Sequence, residues 1–169
     1  MRSKLKLKSG LILLIGLACM AAACNRSGGN RADDVKELLA MHKQILEAHK
    51  QNNVEMWNSI EAETVTVASK GMLTEVSLKD RLPNRRSYLQ TTKFEKYEDL
   101  RPPIIKVSDD GSLAWLFAQV EIKGERELNG NRVQFHDVWA WVELYERRNG
   151  KWLGTGNASN SYSVADNRQ

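Results

Sequence analysis

The stretch from Ser112 to Tyr162 constrains the fold more than any other part of this chain. Asn129-Gly130 and Asn149-Gly150 divide it into three segments rich in Val, Trp, Phe, Tyr and Ile. An Asn-Gly pair tolerates the positive φ that a two-residue hairpin turn needs to match strand twist, and the flanking residue types suit a pleated surface. The pattern predicts three long antiparallel strands, and long twisted strands coil instead of staying flat. With two loop residues per turn, counting puts Trp139 across from Val120 and Asn160, and Trp141 across from Ala118 and Ala158. Gly154 and Gly156 fall opposite Tyr145 and Glu143, where a missing side chain leaves room for a ring or a bend. This face, large residues against small, is expected to be the concave one.

At the amino end, Arg2, Lys4, Lys6 and Lys8 precede the apolar run Leu11 to Leu17. That is the layout of a secretory signal, too short for a conventional membrane-spanning helix. Ala21-Ala22-Ala23-Cys24 resembles the lipobox of bacterial lipoproteins; Cys19, after Gly16-Leu17-Ala18, is a poorer match, and the Leu usual three residues before the cysteine is absent at both sites. The resemblance implies a signal peptide over residues 1–23 and a lipid on Cys24 that anchors the protein to a membrane of the cell envelope. The chain would then face the periplasm or the cell surface. Residues 24–31, polar and glycine-containing after the cysteine, read as a flexible tether, residues 32–162 as one domain, and residues 163–169 as a polar tail.

Both cysteines lie in the first 24 residues, so nothing after Cys24 can form a disulfide, a thiolate metal site or a nucleophilic thiol. Four of the 25 basic residues and none of the 21 acidic ones fall in that segment, which leaves 21 against 21. A neutral mature chain makes nucleic acid a poor partner, because phosphate binding needs a basic surface. No Gly-rich phosphate loop, Ser-His-Asp order or metal-ligand cluster stands out, and no cofactor is implied.

Asp33 and Asp34 sit where a helix start wants capping oxygens and negative charge. From there Val35, Leu38, Leu39, His42, Ile45, Leu46 and His49 recur on one helical face. Each histidine is either a hydrogen-bonded core residue or a polar group aimed at the sheet, and two turns, roughly 10 Å, separate them, too far for a chelating pair. A second short helix, Val54 to Ile60, carries Met56, Trp57 and Ile60. Thr64 to Ser69 and Ile104 to Val107 read as strands. A helix from about Leu82 to Thr91, with Pro83 in its first turn, presents Tyr88 and Leu89 and carries Arg85 and Arg86, which either meet an anion or, the favoured reading, form a solvated basic surface.

Asn149-Gly150-Lys151-Trp152 and the rhythm Asp110-Gly111-Ser112-Leu113-Ala114-Trp115, behind a helix pair, a strand and a third helix, resemble the nuclear transport factor 2-like superfamily, nearest to its SnoaL-like branch. His49 to Trp57 resembles the turn between that family's first two helices, with Asn52-Asn53 in place of its frequent Gly-Asp. The resemblance covers roughly Ala32 to Tyr162. It implies an α+β cone, a strongly curved antiparallel sheet wrapped over N-terminal helices, with a pocket between them and often a homodimer through the sheet. The superfamily hosts isomerases, dehydratases, cyclases, binding domains and structural dimers, so the fold alone does not assign a function. Many relatives carry a histidine six residues after the last tryptophan; here that position is Ala158, which puts catalysis by that group in doubt.

The expected ligand-binding set is His49, Trp57, Tyr88, Trp139, Trp141, Glu143 and Asn160. Trp139 and Trp141 either stack on a flat apolar ligand, with Asn160 supplying a directional hydrogen bond, or fill the core. Glu143 is either buried, with a raised pKa suited to acid–base work, or reaches water or a basic partner at the sheet rim. Asp137 is expected on the same face, near Tyr162, and His136 on the other. The favoured reading is a lipid-anchored envelope module holding a small apolar molecule or peptide. The alternatives are a cofactor-free isomerase or cyclase-like enzyme using Glu143 or Asp137, and a partner-binding or structural dimer whose outer surface carries Trp115, Phe117 and Val142.

Overall fold

Asn30 opens the first element by accepting a hydrogen bond from the Ala32 amide on its side-chain oxygen, and helix α1 runs Arg31–Lys50. The computed structural model describes residues 30–164, so the expected signal segment and Cys24 lie outside the described residues. The helix takes in Arg31, the last residue assigned to the tether. Leu38, Met41, His42, Ile45, Leu46 and His49 form its buried face, following the periodicity seen in the sequence. Asn52, with φ 53°, turns the chain, and Asn53 caps the short helix α2, Val54–Asn58.

Strands β1, Glu61–Ser69, and β2, Met72–Ser77, form a hairpin over the Lys70-Gly71 turn. Helix α3 spans Leu78–Thr91, four residues longer at its start than the sequence suggested. Ser77 caps it, accepting from the Asp80 amide, and the buried Arg81 donates to the carbonyls of Ala62, Glu63 and Val76, which pins the helix to the base of the hairpin. Pro83 therefore lies inside the helix, where its missing N–H removes one rung of the ladder.

Strand β3, Thr92–Asp99, and the short β4, Ile104–Val107, pair with different parts of the same strand, β5, Leu113–Leu128. β6, Asn131–Arg148, and β7, Lys151–Ser163, complete the meander. The turns between them carry the anticipated positive φ values, 53° at Asn129 and 52° at Asn149. The seven-stranded sheet runs β2-β1-β7-β6-β5-β3, with β4 also on β5, and all its pairs are antiparallel except β1 with β7.

Three register shifts bend the sheet around the helices: in β3 between Phe94 and Lys96, between β1 and β7, and at Leu144–Tyr145 against β7. Gly124 permits the first, because a Cβ there would collide with the Lys93 carbonyl oxygen. The core lies between α1 and the concave face, where Leu38, Ile45 and Leu46 meet Leu116, Val120, Ile122, Trp141 and Tyr145. Two polar clamps tie the helix down. Asp34, 4% exposed, accepts from Arg147 and, at 3.4 Å, from Trp152 Nε1, and His42 Nε2 donates to Asp99 Oδ1 at 2.8 Å.

Candidate functional site

Alternation along β6 turns Phe135, Asp137, Trp139, Trp141, Glu143 and Tyr145 to the concave side, and all six line one cavity of about 540 Å³. The rest of its lining comes from Ile45 and His49 on α1, Trp57 on α2, Arg85 and Tyr88 on α3, Tyr97 on β3, and Asn157 and Ser159 on β7 beside β6. The helices keep these walls apart through an aromatic stack. The buried His49 ring sits 4.4 Å from Tyr97 and 4.2 Å from Trp57, centroid to centroid, with Phe94 and Tyr88 edge-on. His49 Nδ1 donates to the Ile45 carbonyl at 2.8 Å. Burial pushes the imidazole down to about 4, so it is neutral at physiological pH.

Deep in the cavity, Tyr145 Oη donates to Glu143 Oε2 at 2.5 Å. Burial raises the Glu143 carboxyl to about 7, because little solvent remains to stabilise its charge; the tyrosine bond works against that rise, and Glu61 adds to it. Glu61 itself is committed elsewhere. Arg85 grips both of its oxygens, at 2.6 and 2.8 Å, and Arg81 Nε lies 3.1 Å from one of them. Arg85 also donates to Asn58 and lies 4.0 Å over the Trp57 ring. A planar guanidinium held by carboxylate, amide and indole is fixed in place, and its charge is matched. Among the described residues no cluster of His, Cys, Asp or Glu is placed to hold a metal ion.

No protein-family model matches this chain, and no curated protein does. Solved structures do. An NTF2-like protein from Cytophaga hutchinsonii superposes with a TM-score of 0.60 at 15% identity, covering 79% of this chain and 99% of its own. A conserved protein from Planctomyces limnophilus reaches 0.63 at 14% identity, over 80% and 100% of the two chains. An NTF2-like protein with a cystatin-like fold from Novosphingobium aromaticivorans gives 0.55 at 14%, over 76% and 82%. The chain has the NTF2-like fold.

Within this NTF2-like cone, His49, Trp57, Tyr88, Trp139, Trp141 and Glu143 from the expected set share one chamber. Asn160 does not. Its backbone partner is Ala140, not Trp139, and its side chain is exposed on the convex face. The register shift at Leu144–Tyr145 moves everything beyond it by one residue: Tyr145 still faces Gly154, but Glu143 faces Asn157, Trp141 faces Ser159 and Trp139 faces Ser161. The same slip puts Ser163 across from Asp137 and turns Tyr162 outward beside Val138. Asn157 and Ser159 supply the polar groups expected of Asn160.

Trp141 packs into the core at 8% exposure, whereas Trp139 is only partly buried at the chamber wall. Glu143 has taken the interior environment instead of a rim partner, and Arg85 is an interior ion pair instead of a solvated cation. The two histidines, both buried, are hydrogen-bonded core residues, and His49 also lines the chamber. On the convex face His136 donates to Glu121 at 2.7 Å, while Leu113, Trp115, Phe117, Ile104 and Leu144 remain 37–49% exposed.

Glu143 and His49 act on stability in opposite senses. The folded carboxyl keeps its proton from 4.5 up to about 7 while the unfolded one has lost it, so its contribution falls as pH rises through that window. The folded imidazole stays neutral from 6.5 down to about 4 while the unfolded one is protonated, so its contribution falls as pH drops. Glu143→Gln removes the first slope and leaves the second. Urea unfolding of variant and parent at a series of pH values is expected to show the variant gaining about 3 kcal/mol on the parent between pH 4.5 and 7.5; a constant difference would place Glu143 in water.

Proposed function

We propose that this chain is a lipid-anchored module of the bacterial cell envelope whose cone takes in a small, largely apolar molecule. The observation that carries this reading is the open chamber between helices and sheet. Its 540 Å³ falls within the roughly 300–1,000 Å³ of small-molecule sites, and its walls combine aromatic rings with a few convergent polar groups. A cone serving only as a scaffold would fill that space with its own side chains. The anchor rests on the sequence before Asn25, where Cys24 follows the apolar run and three alanines. Among the described residues no helix is long and apolar enough to cross a membrane.

A second reading draws on Glu143 specifically. A carboxyl near neutrality, hydrogen-bonded to a tyrosine inside an apolar chamber, can take a proton from a bound molecule and return it. Asp137, the other carboxyl considered for this role, lies six residues along β6 on the same wall. The two readings part on the fate of the guest. A molecule recovered unchanged after prolonged incubation supports the binding module; one converted at a rate that follows Glu143 ionisation supports an enzyme.

Two measurements test the main reading. N-phenyl-1-naphthylamine, a neutral apolar fluorophore, is expected to brighten on binding the soluble domain, and Trp139→Ala to weaken that binding about tenfold with unchanged circular dichroism. Asn160→Ala, on the outer face, is expected to bind like the parent. Equal binding by parent and Trp139→Ala would contradict the chamber as the site. For the anchor, the intact mass of protein taken from its own membranes is expected to begin at an acylated Cys24, and a mass beginning at Met1 or at an unmodified residue would refute it.

A further inference from the structure

The chamber's charges are unevenly served. Glu61 has two arginines, whereas the Glu143 carboxyl has one hydrogen bond, from a neutral tyrosine, and no Lys, Arg or His within ion-pair distance among the described residues. The groups that face it are Tyr145 on its own strand, Asn157 across β7, Leu116 across β5, Tyr97 on β3, the neutral His49 on α1, Glu61 on β1 and Arg85 on α3. Of these, only Arg85 is a cation, and Glu61 holds it in a two-point pair. The other cations of the lining stand at exposed positions away from Glu143. Arg126 is ten residues along β5 from Leu116, the residue paired with Glu143, and Lys70 sits in the β1–β2 turn.

The rest of the wall is aromatic. Trp139 and Trp141 follow in line on β6 between the carboxylates of Asp137 and Glu143, with Trp57, Tyr97 and Tyr88 across the chamber. Asp137, like Glu143, has no ion pair among the described residues; Arg126, the cation on its side of the chamber, lies 5.6 Å over the Phe135 ring. Indole and phenol rings attract a cation over their faces, and more strongly when the site is desolvated. An acidic group without a counter-ion, set among such rings, favours a positively charged guest over a neutral one of the same shape. An anion placed against Glu143 would meet a carboxyl whose nearest cation, Arg85, is already held by Glu61.

Resting on the reading of the cone as a ligand chamber, we propose that its guest is a small organic cation, an amine or quaternary ammonium on an apolar body, with the nitrogen against Glu143 and the body between Trp57, Trp139 and Trp141. The guest supplies the counter-ion that Glu143 lacks. In the free protein the carboxyl is raised to about 7; a cation beside it favours the ionised form, so binding near neutral pH drives the Glu143 proton into solvent. Affinity for the cation therefore rises with pH through that range, while affinity for a neutral guest does not.

Isothermal titration calorimetry with 3-phenylpropylamine, 3-phenylpropan-1-ol and 3-phenylpropanoate presents one skeleton with positive, neutral and negative ends. At pH 8 the amine is expected to bind about tenfold tighter than the alcohol, with the acid weakest. That preference is expected to shrink at pH 6 and to fall severalfold, as a ratio of amine to alcohol affinity, in Glu143→Gln. Paired titrations in buffers of different ionisation heat are expected to show proton release with the amine alone. Equal affinity for amine and alcohol, or an amine preference that is undiminished in Glu143→Gln or ignores pH, would overturn this proposal while the chamber reading stands. Refusal of all three would overturn it too, and the chamber reading would fall with it if N-phenyl-1-naphthylamine were also refused.

Discussion

A carboxyl group held in an apolar chamber without a cation is the constraint on which the site turns. Solvent would stabilise the Glu143 charge at little cost, yet β6 turns the side chain inward, and its one hydrogen bond comes from Tyr145 two residues away. The nearest cation, Arg85, is already matched by Glu61, so it relieves Glu143 only in part. Desolvation then leaves the group balanced between its two protonation states near neutral pH. A well-packed core would exclude such a group or pair it; here the carboxyl is retained beside open space.

Polar clamps act with the apolar core and the aromatic cluster to set the distance between helices and sheet. Asp34 binds the start of α1 to Arg147 and Trp152, His42 binds its middle to Asp99, and Arg81 fixes α3 to the backbone of the β1–β2 hairpin. Directional bonds of this kind fix separation as well as contact, which apolar packing alone does not. Between the clamps, His49 stacks on Tyr97, lies tilted against Trp57, and lines the chamber as a neutral ring.

Much of this was legible where local chemistry determines geometry. The two Asn-Gly pairs marked their turns, and the β5–β6 register followed by counting, with Trp139 on Val120 and Trp141 on Ala118. The β6–β7 register did not, because the shift at Leu144–Tyr145 leaves no mark beyond Gly154 and Gly156, and a single slipped residue exchanged Asn160 for Asn157 and Ser159. β3 went unread for a related reason: its bulge sets the inward Phe94 and Tyr97 three residues apart, which breaks the period-2 pattern. β2 is largely exposed and so carries little hydrophobic alternation. The interior role of Arg85 depends on Glu61, 24 residues earlier, a pairing that residue types do not disclose.

The most direct test is the titration of Glu143 itself, followed by carboxyl carbon-13 NMR, with Glu143→Gln used to assign the signal. The midpoint is expected near 7 in the free protein and lower when 3-phenylpropylamine is bound. A midpoint near the ordinary 4.5, unmoved by the amine, would show a solvated carboxylate and contradict the chamber chemistry described for this cone.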